Sequence, residues 1–238
     1  MNLQRILLNI AFLLFSMPFA IGQQVEIMEQ IPISEKSTEK NFELLTKSFP
    51  ISQQQKIGTL RGTFPHAENQ QIIKLFNLFW KNANKLGANS FVVEDIQIVN
   101  DSTAIRINLY QLSEEDLKSN EGLYPHNMVY MIGELTNDQE GKNFRFNEVK
   151  VNLKPMSYIA YQNEVGKEAT VGVGGLLGAK TWIRGKEGRP PIFYSLSGFG
   201  VGPGIATPIS LSFNTGRLNP VLQNFGQFLL LLLNEQKL

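Results

Sequence analysis

The chain has 238 residues, contains no cysteine and carries a formal net charge of +1 at pH 7. Its length is enough for one large domain or two small ones, and its 42% hydrophobic content argues against intrinsic disorder. The near-neutral charge provides no overall field that attracts nucleic acid, so nucleic acid is not expected among the partners. Because no disulfide can form, stability must come from the hydrophobic core.

The N-terminal segment has the three-part pattern of a cleaved secretory signal. Arg5 supplies a positive charge, residues 6–15 form an apolar segment, and the small residues Ala20 and Gly22 occupy the positions that signal peptidase recognises. The apolar segment is too short for a transmembrane span, and none is predicted. We expect cleavage between Gly22 and Gln23, which sends the mature protein to the periplasm, to the outer membrane or out of the cell.

The mature chain begins with a polar lead-in, residues 23–55. Within it, Phe42, Leu45 and Phe49 recur at helical spacing. A short helix over 37–49 is therefore expected.

The clearest helix of the chain follows a strand predicted over 56–64. Apolar residues recur at spacings of three and four from Ile72 to Leu86, with polar residues on the other faces. Gly87 then stands where a helix ends in positive φ, a conformation that glycine adopts without a steric penalty. We predict a helix that ends at this glycine.

Two β-branched segments predict the next strands, over 90–99 and 103–112. The alternation changes phase at Glu94 and Asp95, which indicates a β-bulge. Residues 56–112 are therefore predicted to have the order strand, helix, strand, strand.

The stretch 79–93 carries a resemblance to known proteins. A helix runs into Gly87, Ala88 and Asn89 and then into a strand and a hairpin, and this arrangement resembles small envelope domains of the RcsF and YbjQ type. The whole chain also looks like secreted proteins of the Bacteroidetes. The resemblance implies an envelope location and a βαββ fold over 56–112, and it transfers no functional residue.

The distribution of charged residues and of glycines differs between the two halves of the chain. Residues 23–140 carry 16 acidic and 10 basic side chains, whereas residues 141–238 carry 5 and 11. Of the 20 glycines, 14 follow residue 140. We predict an α+β domain over 56–140, followed over 141–238 by a glycine-rich, mainly antiparallel β domain with a C-terminal helix or strand. The alternative is one domain with a helical half and a β half.

Motifs for cofactor and metal chemistry are weak. Residues 172–181 resemble a phosphate-binding loop, but Ala179 separates the last glycine from Lys180, so no nucleotide cofactor is expected. The two histidines, His66 and His126, fall in predicted loops, and no thiol is present to complete a metal site. We expect no cofactor and no metal.

Acidic residues leave an enzymatic alternative open. Glu94, Asp95, Glu121 and the cluster 114–116 include candidates for the paired carboxylates that glycoside hydrolysis requires. The sequence does not show which of them meet. The cluster 114–116 is also explained by a helix N-terminus, where the helix dipole favours acids.

The strongest binding candidate is a basic and aromatic stretch in the second half. It consists of Lys180, Trp182, Arg184, Lys186, Arg189 and Tyr194. Arginine and aromatic residues are enriched in binding surfaces, and phosphate groups pair well with arginine. We therefore predict an exported, non-enzymatic envelope binding or scaffold protein whose partner is an envelope component or protein, with peripheral contact to an anionic membrane or glycan. The alternatives are an ordinary solvated hairpin loop at this stretch and a secreted hydrolase acting on glycan or peptide.

Overall fold

The computed structural model describes residues 25–33, 41–138, 140–174, 179–196, 199–200, 210–211 and 218–238. The predicted signal peptide and its cleavage site lie outside these residues, as do residues 175–178 of the glycine-rich loop. The described residues form helices and β-sheets together, which confirms the mixed α and β class. Within them, no helix is both long and apolar enough to cross a membrane.

The elements alternate between strands and a few helices. The strands are β1 (Val25–Gln30), β2 (Glu43–Leu44), β3 (Lys56–Pro65), β4 (Ser90–Val99), β5 (Ser102–Tyr110), β6 (Met128–Ile132), β7 (Lys142–Phe146), β8 (Val149–Leu153), β9 (Ser157–Gln162), β10 (Glu168–Val173), β11 (Ala179–Arg184), β12 (Ile192–Ser195), β13 (Phe199–Gly200), β14 (Ser210–Leu211), β15 (Asn219–Val221) and β16 (Asn234–Glu235). The helices are α1 (Gln71–Leu86), α2 (Glu114–Gly122) and α3 (Gln223–Leu230), with single 3₁₀ turns at Ile51–Gln53 and His66–Glu68.

A first sheet has the strand order β1-β3-β5-β4-β2, and α1 packs against it. The predicted helix is confirmed, and its apolar face lies in the core. Gly87 ends the helix at φ 88°, and its N–H points to the carbonyls of Ala83 and Asn84, as the glycine pattern predicts. The register of β4 shifts between Val93 and Asp95, which confirms the β-bulge.

The lead-in takes part in this sheet, and the helix predicted over 37–49 is wrong in its described part. Glu43 and Leu44 form β2 instead, which pairs in parallel with β4. The Leu45 N–H donates to the Phe91 carbonyl at 2.9 Å, and the Phe42 ring stacks on that of Phe91 at 4.2 Å. Strand pairing and ring packing with distant residues outweigh the local helical spacing. The first sheet therefore has five strands and extends beyond residues 56–112.

The second and third sheets come from the later residues. The third sheet, β11-β10-β7-β8, is antiparallel throughout. The second, β15-β12-β6-β9-β16, is mixed, because β12 and β6 run parallel, as do β16 and β9. Behind the third sheet lies a hydrophobic cluster whose buried members all fall between Val129 and Leu196.

The C-terminal helix packs into the core of the first sheet. Phe225 and Phe228 of α3 lie 5.0 and 5.1 Å from the ring of Phe76. Asn219 and Pro220 form β15 against β12, and the helix begins at Gln223, so the C-terminal region expected to hold a helix or strand contains both. One core cluster thus contains residues from both sides of residue 140. The division into domains near 137–141 stays a prediction.

Candidate functional site

Three of the predicted binding residues lie on one face of β11. Lys180, Trp182 and Arg184 alternate along the strand, so their side chains project to the same side, while Ile183 is buried on the other. The side chain of Trp182 is 58% exposed. An exposed tryptophan is unusual on a protein surface, since burial of its ring is strongly favourable.

The strand register adds further residues to this face. Thr170 lies opposite Trp182 and Gly172 opposite Lys180, so no bulky side chain stands beside the indole on β10. Arg145 of β7 lies opposite Gly172, and Lys150 of β8 lies opposite Arg145. Directly paired residues share a face. We call this surface the basic sheet face, consisting of Arg145, Lys150, Glu168, Thr170, Gly172, Lys180, Trp182 and Arg184.

Two of the basic side chains on the basic sheet face form ion pairs with one carboxylate. Lys180 Nζ lies 2.6 Å from Glu148 Oε1, and Arg145 lies 3.9 Å from the other oxygen of the same carboxylate. The hydrogen bond from Lys180 lowers the pKa of the Glu148 carboxyl. Arg184 and Lys150 form no ion pair with any described residue. Because exposed ion pairs contribute little, the cations stay available to an external anion.

The remaining predicted residues lie elsewhere. Lys186 and Arg189 belong to the turn after β11, which Asn127 holds through hydrogen bonds with the backbone of both residues at 2.7 to 2.9 Å. The Arg189 guanidinium donates to the Arg184 carbonyl at 2.6 Å, so it bends back toward β11. Tyr194 is on β12 of the second sheet, where burial raises the pKa of its hydroxyl. The structure groups the β11 residues and places Tyr194 in another sheet.

An apolar cavity of about 330 Å³ lies between the first sheet, the second sheet and α3. Its apolar walls include Leu44, Val92, Leu123, Tyr130, Phe193 and Leu230. Its lining also includes residues with polar or charged side chains, among them Gln227, Thr46, Lys47 and Tyr124. The Gln227 Nε2 and Oε1 atoms and the Thr46 Oγ1 atom are buried, and none has a hydrogen-bond partner in the described structure.

A separate, polar cleft of about 340 Å³ lies on the other side of β2. Glu43, Glu114, Glu121 and Tyr124 are among its lining residues. Burial, reinforced by the charge of Glu121, raises the pKa of Glu43, and burial also raises the pKa of Tyr124. The Tyr124 hydroxyl donates to the Leu44 carbonyl, which fixes the ring between the cleft and the apolar cavity. Glu114 and Glu121 were among the sequence candidates, whereas Glu43 was not.

The histidines and the acidic residues form no metal centre within the described residues. No group of three or more potential ligands occurs there. His66 Nε2 instead lies 2.7 Å from Thr103 Oγ1 at the end of the β3–β5 pair. His66 is thereby engaged in a local contact with the neighbouring strand.

Comparison with known proteins adds little to this description. No family model matches the chain. No curated protein matches it. A crystal structure of the Francisella virulence factor FvfA aligns with 38% of this chain and 99% of its own, at 15% sequence identity and a TM-score of 0.29. A TM-score that low carries no argument about fold or function.

Proposed function

We propose that this chain is an exported, non-enzymatic envelope protein that binds a phosphate-bearing anionic surface through the basic sheet face. The observation that carries the proposal is the exposed Trp182 on a strand with Lys180 and Arg184, with Arg145 and Lys150 on the same face two and three strands away. Basic residues attract anionic headgroups, and tryptophan favours the interface between water and lipid. The export signal and the envelope location are parts of the same proposal.

The arrangement supports contact with a surface better than enclosure of a small ligand. The charged side chains are spread over several strands of an antiparallel sheet and point outward, with the small residues Thr170 and Gly172 between them. Each basic residue close to an anionic membrane contributes about 1 kcal/mol. Removing three of them should weaken binding by about 3 kcal/mol, which is on the order of a hundredfold.

Vesicle co-sedimentation tests the proposal on the protein that begins at Gln23. Wild type should sediment with phosphatidylglycerol vesicles and not with phosphatidylcholine vesicles, and binding should fall with added salt. The triple variant Arg145→Gln, Lys150→Gln, Arg184→Gln should lose most of this binding. The matched control Lys74→Gln, Lys81→Gln, Lys118→Gln removes the same charge from exposed helical positions and should bind as wild type does.

Three other outcomes of this experiment would lead to different conclusions. Equal binding by the two triple variants would show that net charge, and not the basic sheet face, is responsible. Absence of binding to anionic vesicles and to lipopolysaccharide would contradict the proposed function altogether. Binding to lipopolysaccharide alone would assign the phosphates of a glycolipid and not those of a phospholipid.

The finer architecture belongs to the proposal as well: a βαββ unit over 56–112, followed by a glycine-rich β unit. It is supported by the hydrophobic cluster of the third sheet, whose buried members follow residue 140 except for Val129 and Met131 of β6. Limited proteolysis should then cut first within about ten residues of Asn137–Lys142 or in the lead-in before Gln55. First cuts within residues 160–215, with residues 130–150 resistant, would contradict the boundary.

A hydrolase acting on glycan or peptide is the second candidate function. The polar cleft favours it, because Glu43 has a raised pKa and faces the charge of Glu121, an arrangement that suits a proton donor beside a carboxylate. Glu43→Gln should then abolish hydrolysis of a peptidoglycan or casein substrate, whereas the control Glu115→Gln should retain it. Lack of hydrolysis by wild type would exclude this candidate for those substrates.

A further inference from the structure

We propose that the apolar cavity binds a fatty acid, with the hydrocarbon chain inside the cavity and the carboxylate at its mouth beside Lys47. The site is separate from the basic sheet face and does not depend on the proposed function. Its volume of about 330 Å³ falls within the range of small-molecule pockets, roughly 300–1,000 Å³. Such pockets are mostly apolar and contain a few polar or charged groups that orient the ligand.

The interior of the cavity presents an apolar surface, although polar residues occur in its lining. Phe193 and Tyr130 stack on each other with ring centroids 4.8 Å apart, and both line the space. The side-chain polar atoms of Gln227 and the Thr46 hydroxyl are buried beneath the surface, so they offer no hydrogen bond to an occupant. The Tyr124 hydroxyl already donates to a backbone carbonyl. A polar ligand would lose its hydration there without replacement, whereas a hydrocarbon chain has none to lose.

The mouth of the cavity exposes apolar side chains. Leu123 and Leu231 line the cavity and are 43% and 41% exposed, so both leucines lie at its opening. Exposed apolar surface that leads into an apolar cavity is typical of a ligand-binding groove. A hydrocarbon chain that enters the cavity would cover part of both leucines, and removal of this surface from water favours binding.

The charge at the mouth favours an acid as the head group. Lys47 is exposed, and it is the one charged residue among the described residues that line the cavity. Lys47 forms no ion pair with any described residue. Glu43 and Glu121 line the polar cleft instead, and Tyr124 stands between the two spaces. A carboxylate at the mouth would therefore meet an unpaired cation, whereas an ammonium head group would be repelled.

Calorimetric titration of the protein that begins at Gln23 tests the head group with three ligands that share one chain: octanoate, 1-octanol and octyltrimethylammonium. Because an exposed ion pair contributes little, octanoate should bind about threefold more tightly than 1-octanol and about tenfold more tightly than the cation. The preference should fall with added salt. In Lys47→Gln, octanoate and 1-octanol should bind alike, whereas the control Lys74→Gln should keep the preference.

A second titration tests the chain. Each buried methylene group should tighten binding about fourfold, so octanoate should bind roughly fifteenfold more tightly than hexanoate. The double variant Leu123→Ser, Leu231→Ser should weaken octanoate binding about tenfold, because less apolar surface is covered. The matched control Ile98→Ser, Val149→Ser changes two residues that are exposed elsewhere, and it should bind octanoate as wild type does. The variant Arg145→Gln, Lys150→Gln, Arg184→Gln should also retain octanoate binding.

Far-ultraviolet circular dichroism checks that each variant is folded, and Leu123→Gln, Leu231→Gln replaces the serine pair if that pair fails to fold. Equal affinity for the three head groups, or a preference that persists in Lys47→Gln, would overturn the assigned carboxylate. Absence of binding, affinity that does not rise with chain length, or equal losses in the two double variants would overturn the site. Loss of octanoate binding in the Arg145, Lys150 and Arg184 variant would place the ligand on the basic sheet face and contradict the inference.

Discussion

Replacing Gln227 by leucine should stabilise the ligand-free protein. The side chain is 4% exposed, and its two polar atoms have no hydrogen-bond partner in the described structure. Leaving a buried polar group unsatisfied costs about 1–3 kcal/mol, whereas leucine has a similar volume, a similar helix propensity and no polar atom. We expect the free energy of unfolding to rise by about 1–2 kcal/mol, with a rise in Tm of roughly 2–4 °C for each kcal/mol.

Urea denaturation followed by far-ultraviolet circular dichroism measures this change. The midpoint should rise with an unchanged m-value, because the surface exposed on unfolding is nearly the same. Gln223→Leu serves as the control and should shift the midpoint little, because its side chain is only half-buried and lies outside the cavity. A lower midpoint for Gln227→Leu would refute the reasoning, since it would mean that the amide makes bonds that stabilise the fold.

Three further predictions concern backbone geometry, close packing and pH. Gly87→Ala should lower stability by about 1 kcal/mol in thermal unfolding, because φ is 88° there; an unchanged Tm would show that the helix ends differently. Gly226→Ala should destabilise by about 1–2 kcal/mol net in the same assay, because the added methyl group meets the Phe193 ring, although alanine is the better helix former; a gain in stability would contradict that contact. Since burial raises the pKa of Glu43 above its ordinary value of 4.5, the folded state binds the proton more tightly, so this group stabilises the fold at low pH and the contribution is lost as pH rises through the folded-state pKa. As the pH rises from about 4 to 7, the stability of Glu43→Gln relative to that of the wild type should therefore increase. A difference in Tm that does not change with pH would contradict the raised pKa of this carboxyl.

Local patterns predicted the parts of the fold that depend on local physics. The spacing of apolar residues from Ile72 to Leu86 and the glycine after them were enough to place α1 and its end, because both are determined within a few turns of helix. β2 was missed because two residues form it only through pairing with β4, which lies far along the chain. Tertiary contacts decide such short segments.

The candidate sites also combine features that local sequence predicts with features that only tertiary contacts determine. Alternation along β11 relates Lys180, Trp182 and Arg184 in sequence, but Arg145 and Lys150 join them only through a strand register that no local pattern reveals. Gln227 was missed for another reason. A glutamine in a helical segment normally indicates an exposed face, and only the packing of α3, with Gly226 against Phe193, buries this one.

The central claim, contact of the basic sheet face with an anionic surface, is tested most directly by quenching of tryptophan fluorescence by vesicles of brominated phosphatidylglycerol. The chain has two tryptophans, and Trp182 is 58% exposed whereas Trp80 packs against the aromatic core. We predict strong quenching of the wild-type protein at low salt, and its loss in Trp182→Phe while that variant still sediments with the vesicles. Quenching that persists in Trp182→Phe, or vesicle binding without any quenching of wild type, would contradict the account.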